Sequence, residues 1–188
     1  MSRSFKVGIV GPESTGKSTL AQALAERLQG TFVPEFAREY VGGLGRAYTY
    51  EDVCLIAERN CLEARQVERP LAKLAKSRKT ANAQSRITFF DTELIVTKVW
   101  LDEVYGRRPE WITEPIPADC QMDFYLLLYP DLPAVPDPLR ENLEQSARER
   151  LFRKYLHEVE LTGKPYAIVR GFGEEREVAA LRALGINN

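Results

Sequence analysis

The sequence predicts an α/β fold in three layers, with a five-stranded parallel sheet between two layers of helix. Three observations carry this. Short apolar runs alternate with helical patterns along the chain, as expected of a parallel sheet covered on both faces. The first run breaks into a glycine-bounded loop that opens directly into a helix. A length of 188 residues suits one domain with a real core, and neither a linker nor an internal repeat interrupts it.

The elements follow in order. FKVGIV (Phe5–Val10) is the first strand, GPESTGKS the loop, and Ser18–Leu28 the first helix. Thr31–Val33 is a second short strand. Val41–Tyr50 (VGGLGRAYTY) is glycine-rich and reads as a loop. From about Tyr50 to Ser77 a long helix places Val53, Ile56, Ala57, Ala64, Val67, Leu71 and Leu74 on one face. Ile87–Phe90 is the third strand and Glu93–Tyr105 the next helix. Tyr105–Cys120 carries three prolines and a tryptophan, and reads as a loop at the mouth of the sheet. Phe124–Tyr129 is the fourth strand; Tyr129–Asn142, with four prolines and one arginine, is a second such loop. Helix Leu143–Leu161, strand Tyr166–Val169 and helix Glu174–Leu184 complete the chain. Ligands of such sheets gather at the carboxyl ends of the strands.

Composition removes several classes of function. Lys and Arg total 26 against 27 for Asp and Glu, a net charge of -1, which argues against broad electrostatic binding of nucleic acid. The basic run Lys73, Lys76, Arg78 and Lys79 reads as a solvated helix end. Three cysteines, Cys54, Cys61 and Cys120, lack CxxC spacing; they predict neither a disulfide framework nor a zinc site, and fit a reducing cytoplasm. No signal peptide is expected ahead of the first strand, and no apolar stretch has membrane-spanning length. His157 is the only histidine and sits in a helical pattern, so histidine-based catalysis is not expected.

The loop GPESTGKS matches G-x-x-x-x-G-K-[ST] with the required strand before it and helix after it. Gly11, Pro12, Glu13, Ser14, Thr15 and Gly16 would supply a curled backbone whose N–H groups, with the helix N-terminus, cradle a triphosphate. Lys17 would reach the outer phosphates, Ser18 would ligate Mg²⁺, and Thr19 closes the nucleotide-binding stretch. A second Mg²⁺ anchor is expected from Asp91 in ITFFDTE, at the end of an apolar strand. An acidic helix cap is the competing reading, and both hold together if Thr92 caps while Asp91 faces the metal. Glu93 is left unassigned.

VPEFAREY (Val33–Tyr40) lies at the carboxyl end of the second strand. Glu35 there can accept the proton of an acceptor hydroxyl held in line with the γ-phosphate, and Arg38, one turn later, can brace the acceptor or a phosphate. A surface Glu–Arg pair on a short helix is the plainer alternative.

VPEFAREY resembles the glutamate-bearing strand end of the deoxynucleoside kinases. More specifically, the order GPESTGKST, PEFAREY, FFDTELIVTK, YLLLYPDLP and DPLREN resembles the ribosylnicotinamide kinase domain of NadR-type proteins, across almost the whole chain. The resemblance implies a nucleoside-kinase-like P-loop fold, one kinase domain over residues 1–188, and a lid after the fourth strand at about 130–155. It implies ATP and Mg²⁺ as cofactors and 5′-phosphorylation of nicotinamide riboside as the reaction. The nucleotidylyltransferase and DNA-binding parts of such proteins are not expected in this chain. In its terms Arg140 is a lid arginine at the transferring phosphoryl, with Arg148 as second candidate; Arg148, Arg150 and Arg153 otherwise read as a solvated helix face. The loop Gly171–Arg176 would border the adenine. Tyr48, Tyr50, Asn60 and Trp111 are candidates for the acceptor site, whereas Trp100, in helical step with Leu94 and Thr97, reads as core. A nucleoside is the expected partner, with no nucleic acid or membrane; a homo-oligomer stays open. A kinase for another nucleoside and a non-kinase NTPase switch are the competing functions.

Overall fold

The structure is a computed structural model, and it describes residues 4–67, 87–113, 116–134 and 144–186. Its strands are β1 (Phe5–Val10), β2 (Thr31–Val33), β3 (Ile87–Asp91), β4 (Phe124–Leu128) and β5 (Tyr166–Val169). They form one parallel sheet in the order β2-β3-β1-β4-β5. The helices are α1 (Lys17–Arg27), α2 (Phe36–Gly43), α3 (Tyr50–Gln66), α4 (Leu94–Tyr105), α5 (Gln145–Leu161) and α6 (Glu174–Ala183).

The two faces follow from strand alternation, because successive side chains point to opposite sides. Val7, Ile9, Phe89, Leu126 and Leu128 pack with Leu20, Leu24, Ala180 and Leu181 of α1 and α6. Val10, Phe90, Tyr125 and Leu127 face the other way, onto a core shared with α3, α4 and α5. This is the expected three-layer arrangement, and each strand lies within a residue of its expected bounds. β1 sits centrally, with β3 and β4 on either side, so the chain reverses direction of travel at its carboxyl end. The register pairs Ile9 with Asp91 and Val33 with Phe90, bringing Gly11, Glu35 and Asp91 to one edge.

Three expectations are corrected. The segment Val41–Tyr50 is only partly a loop: α2 runs on to Gly43, and Thr49 with Asp52 forms a capping box that starts α3 at Tyr50. Asp52 gathers a network there, accepting from Thr49 N at 2.7 Å, Arg46 at 2.6 Å and Tyr40 at 2.9 Å. Those bonds, Arg46 foremost, hold its carboxyl well below the usual range. Cys61 and Cys120 form a disulfide, with Cα atoms 4.7 Å apart, against the expectation of no disulfide framework. The pairing joins α3 to the 3₁₀ turn Ala118–Cys120 across 59 residues, a tertiary juxtaposition that no local spacing reveals. Finally, residues 145–155, expected within a lid, are the first turns of a core helix, with Arg148, Leu151, Phe152 and Tyr155 buried. The distal half of the predicted long helix, with Leu71, Leu74 and the basic run, lies outside the described residues.

The layer of α4 and α5 is joined by buried charge. Lys98 Nζ donates to Glu158 Oε2 at 2.5 Å, both side chains nearly inaccessible, and Arg108 Nη1 approaches the other Glu158 oxygen at 3.4 Å. Further out, Arg150 and Lys154 of α5 both bind Glu103 of α4 and hold its carboxyl below the ordinary range. Among the described residues, no helix is long and apolar enough to cross a membrane.

Candidate active site

The phosphate loop leaves β1 at Gly11, with φ 142°, and enters α1 through Gly16, with φ 77°. At Gly11 a Cβ would stand 2.7 Å from Leu128 O, so only glycine suits both the angle and the space. Lys17 Nζ folds back over the loop, donating to Gly11 O at 3.0 Å and Pro12 O at 2.9 Å. Thr15 Oγ1 also donates to Pro12 O, at 2.8 Å.

Asp91 ends β3 beside this loop. It is buried, its Oδ1 lacks a hydrogen-bond partner among the described residues, and the Ser18 hydroxyl lies close enough to favour its charged form. Burial raises its pKa, opposed by the Ser18 hydroxyl and the Lys17 charge. A hydroxyl and an unsatisfied buried carboxylate oxygen, side by side, suit a hard divalent cation such as Mg²⁺. The expected division of labour at the next residues is corrected. Glu93, not Thr92, caps α4, its Oε1 accepting from Ile95 N at 2.9 Å. Thr92 adopts φ 76°, its buried hydroxyl makes no hydrogen bond among the described residues, and burial pushes Glu93 up to about 8.

Glu35 precedes α2 without capping it, and Arg38 Nε lies 3.8 Å from its carboxylate. At that distance and exposure the pair adds little stability, so the plainer surface-pair reading explains the geometry but not the position. The position is the point. A cavity of about 530 Å³ is lined by the phosphate loop from Glu13 to Thr19 on one side, and by Glu35 and Arg38 on another. Its remaining lining is mostly apolar and aromatic, with Tyr48, Val96, Val99, Trp100, Leu151 and Tyr155, and carries one carboxylate, Glu103.

That wall differs from the one expected. Trp100 packs against the core as expected and also lines the cavity, its Nε1 donating to Tyr48 Oη at 3.3 Å with the rings edge to face. Val96, Val99, Trp100 and Glu103 share one face of α4 at three- and four-residue steps, so the periodic signal was present but pointed at a cavity. Tyr50, Asn60 and Trp111 do not line it. Tyr50 packs on Tyr105 beneath Arg107. Asn60 donates to Thr97 Oγ1 at 2.7 Å within the core. Trp111 is half-exposed on a 3₁₀ turn. Tyr155, whose hydroxyl is driven strongly upward by burial, is a wall residue that sequence reasoning missed.

Arg148, the second lid candidate, is not part of a solvated helix face. It is 1% exposed and donates to Glu13 O at 3.1 Å, Ser14 O at 3.2 Å and Leu132 O at 2.9 Å. Arg176, named in the sequence only as the end of the loop expected to border the adenine, lies in the first turn of α6, is buried too and donates to Thr15 O, Tyr129 O and Asp131. Arg140 lies outside the described residues.

The sheet order, the loop and the cavity define a P-loop fold of the nucleoside-kinase-like type. A family model described as an AAA domain matches residues 6–176, and the chain belongs to that family. It is 31% identical over 157 residues to the trifunctional NAD biosynthesis/regulator protein NadR of Salmonella typhimurium, covering 81% of this chain and 35% of that one. A crystal structure of NadR protein in complex with NAD and AMP-PNP superposes with a TM-score of 0.64 at 22% identity, over 98% of this chain and 51% of that one. Deoxyadenosine kinase from M. mycoides with bound dATP gives a TM-score of 0.53 at 13% identity, over 96% and 99% of the two chains. The chain thus spans about a third of the curated relative and about half of the NadR structure it matches.

Proposed function

We propose that the protein is an ATP-dependent nucleoside kinase that phosphorylates nicotinamide riboside at its 5′-hydroxyl, giving nicotinamide mononucleotide. One observation carries the reading: the phosphate loop and Glu35 open into the same cavity, which Tyr48, Trp100 and Tyr155 also line. A nucleotide switch needs the first feature only. A kinase needs both, because its acceptor must reach the γ-phosphate from a pocket of its own. The likeness to NadR and to deoxyadenosine kinase supports the same class.

In this reading Lys17 exchanges the loop carbonyls for the β- and γ-phosphates. Ser18 and Asp91 would hold Mg²⁺, which would neutralise charge on the phosphates. Glu35 takes the acceptor hydroxyl as a hydrogen-bond donor, aligns its oxygen with the γ-phosphorus and receives its proton as the new O–P bond forms and the bond from the γ-phosphorus to the bridging oxygen breaks, releasing ADP. Arg38 steadies the acceptor or a phosphate, and Arg140 acts from the segment after β4. The pyridinium of nicotinamide riboside rests against Trp100 and Tyr48, where an aromatic face attracts a cation.

Incubation with Mg-ATP and a panel of nucleosides tests the proposal. Nicotinamide mononucleotide is the expected product, formed faster than any other nucleotide. Preference for another nucleoside would move the acceptor assignment, and ATP hydrolysis without any phosphorylated nucleoside would favour the switch.

A further inference from the structure

We infer that Arg148 and Arg176 are positioning residues for nucleotide binding: from behind the phosphate loop they hold the peptide units of residues 13–16 with their N–H groups turned into the cradle. The inference rests on the nucleotide-binding half of the proposed function and adds residues from two helices that no loop motif contains.

The argument is an accounting of carbonyls. Gly11 O accepts from Lys17, and Pro12 O from Lys17 and Thr15. Glu13 O and Ser14 O accept from Arg148, Thr15 O accepts from Arg176, and Gly16 O accepts from Leu20 N. Every carbonyl from Gly11 to Gly16 therefore has a donor, and the three consecutive ones in the middle belong to two guanidinium groups. A trans peptide unit is planar, with its C=O and N–H on opposite sides. Pinning the carbonyls of Glu13, Ser14 and Thr15 outward therefore fixes the N–H groups of Ser14, Thr15 and Gly16 inward, where phosphate oxygens bind. Ser14 needs such support, since φ 56° is unfavourable for a residue with a side chain.

Arginine suits the task. Its planar fork reaches two adjacent acceptors at once, as Arg148 does with Glu13 O and Ser14 O, and it stays charged when buried. Each fork is anchored from its far side. Arg148 also binds Leu132 O and Gln145 Oε1, while Arg176 binds Gly171 O, Tyr129 O and Asp131, whose second oxygen accepts from Gly171 N. A cation behind a carbonyl polarises its peptide unit and strengthens the N–H on the other side. Lys17 has to leave its carbonyls to meet phosphate, whereas the two arginines keep theirs. The loop thus needs no re-forming as the nucleotide arrives, and that saves binding energy.

The test replaces each arginine by lysine, which keeps the charge and removes the fork. ADP affinity is measured by calorimetry, with unfolding midpoints and ATP kinetics in parallel. The dissociation constant for ADP should rise at least tenfold in Arg148→Lys and in Arg176→Lys, with cooperative unfolding kept and KM for ATP rising more than kcat falls. ADP affinity equal to the parent's in both variants overturns the inference. A kcat loss exceeding the KM rise in Arg148→Lys overturns it for that residue, since contact with the transferring phosphoryl gives that pattern. Should the lysine variants lose cooperative unfolding, Gln145→Ala and Asp131→Asn slacken one fork each with both arginines in place; weaker ADP binding supports the inference and unchanged binding overturns it. Calorimetry scores the inference without turnover, so a parent that binds ADP yet phosphorylates no nucleoside overturns only the kinase reading.

Discussion

Replacing Lys98 by methionine asks how firmly the two helices that wall the cavity are held together. Lys98 and Glu158 are both almost fully buried and meet at 2.5 Å. Once the lysine is gone, Glu158 keeps the longer Arg108 contact, at 3.4 Å. A buried carboxylate stripped of its partner takes up a proton in preference to staying charged. That escape sets the scale: protonating an ordinary glutamate at pH 7 costs about 3.7 kcal/mol, from a reference pKa near 4.3. Arg108 lowers the loss, so Lys98→Met should destabilise by about 2–4 kcal/mol at neutral pH. In the converse variant Glu158→Leu, Lys98 must shed its proton, at a cost of up to about 4.6 kcal/mol at pH 7. The double variant removes both charges and should match the parent or exceed it, because a well-packed apolar pair replaces a desolvated ionic one.

The two single variants should respond to pH in opposite directions. In Lys98→Met the folded-state pKa of Glu158 is raised above its unfolded value, so stability is retained in acid and lost as pH rises. Its deficit should shrink to about 1 kcal/mol at pH 5. In Glu158→Leu the folded pKa of Lys98 is depressed, so the deficit should shrink as pH rises, to about 2 kcal/mol at pH 9. Urea unfolding followed by circular dichroism at pH 5, 7 and 9, across all four proteins, reads these differences directly. A Lys98→Met loss below about 0.5 kcal/mol at every pH, or a double variant as unstable as the worse single one, would refute the reasoning.

The remaining predictions concern the cavity. Lys17→Ala should abolish phosphoryl transfer, measured as ADP release, while the unfolding transition persists, because that lysine touches loop carbonyls and not core. Glu35→Gln should bind Mg-ATP nearly as the parent does and transfer to nicotinamide riboside roughly a hundredfold more slowly, the scale of an acid–base group; parent-like turnover would remove its hydroxyl-orienting role. Trp100→Ala should lose more with nicotinamide riboside than with uridine, by about 0.5–2 kcal/mol in kcat/KM, if cation–π attraction holds the pyridinium. Equal losses with both substrates would leave Trp100 as a wall and no more.

The parts that the sequence made legible are those whose cause is local. The strand–loop–helix frame of GPESTGKS follows from neighbouring residues alone, and Gly11 and Gly16 adopt the backbone angles that explain their choice. Asp91 and Glu35 were readable as strand-end carboxylates, because a parallel sheet brings strand ends to one edge. What local pattern could not supply was the direction in which a buried face looks. Trp100 sits in step with core positions and packs on the core, yet it also faces a cavity, and the placement of α5, which lines that cavity with Leu151 and Tyr155, is not written in the local pattern. The Cys61–Cys120 contact is invisible for the same reason, since α3 and the 3₁₀ turn meet only through the fold.

Arg148 shows where the two kinds of information divide. Within ARERLFRKY it is one charged residue among several, and composition assigns the set to solvent. Burial then separates it from Arg150 and Arg153, since Arg148 shares its helix face with Leu151 and Tyr155 at steps of three and seven. That face meets the cavity wall and the back of the phosphate loop together, so α5 touches both halves of the site. Through Arg148 it holds the loop, through Leu151 and Tyr155 it lines the cavity, and through Arg150, Lys154 and Glu158 it grips α4. A shift of α5 would therefore alter the nucleotide cradle and the opposite wall at once. Lys98→Met bears on this coupling, because loosening α4 from α5 should weaken ADP binding although Lys98 itself does not line the cavity.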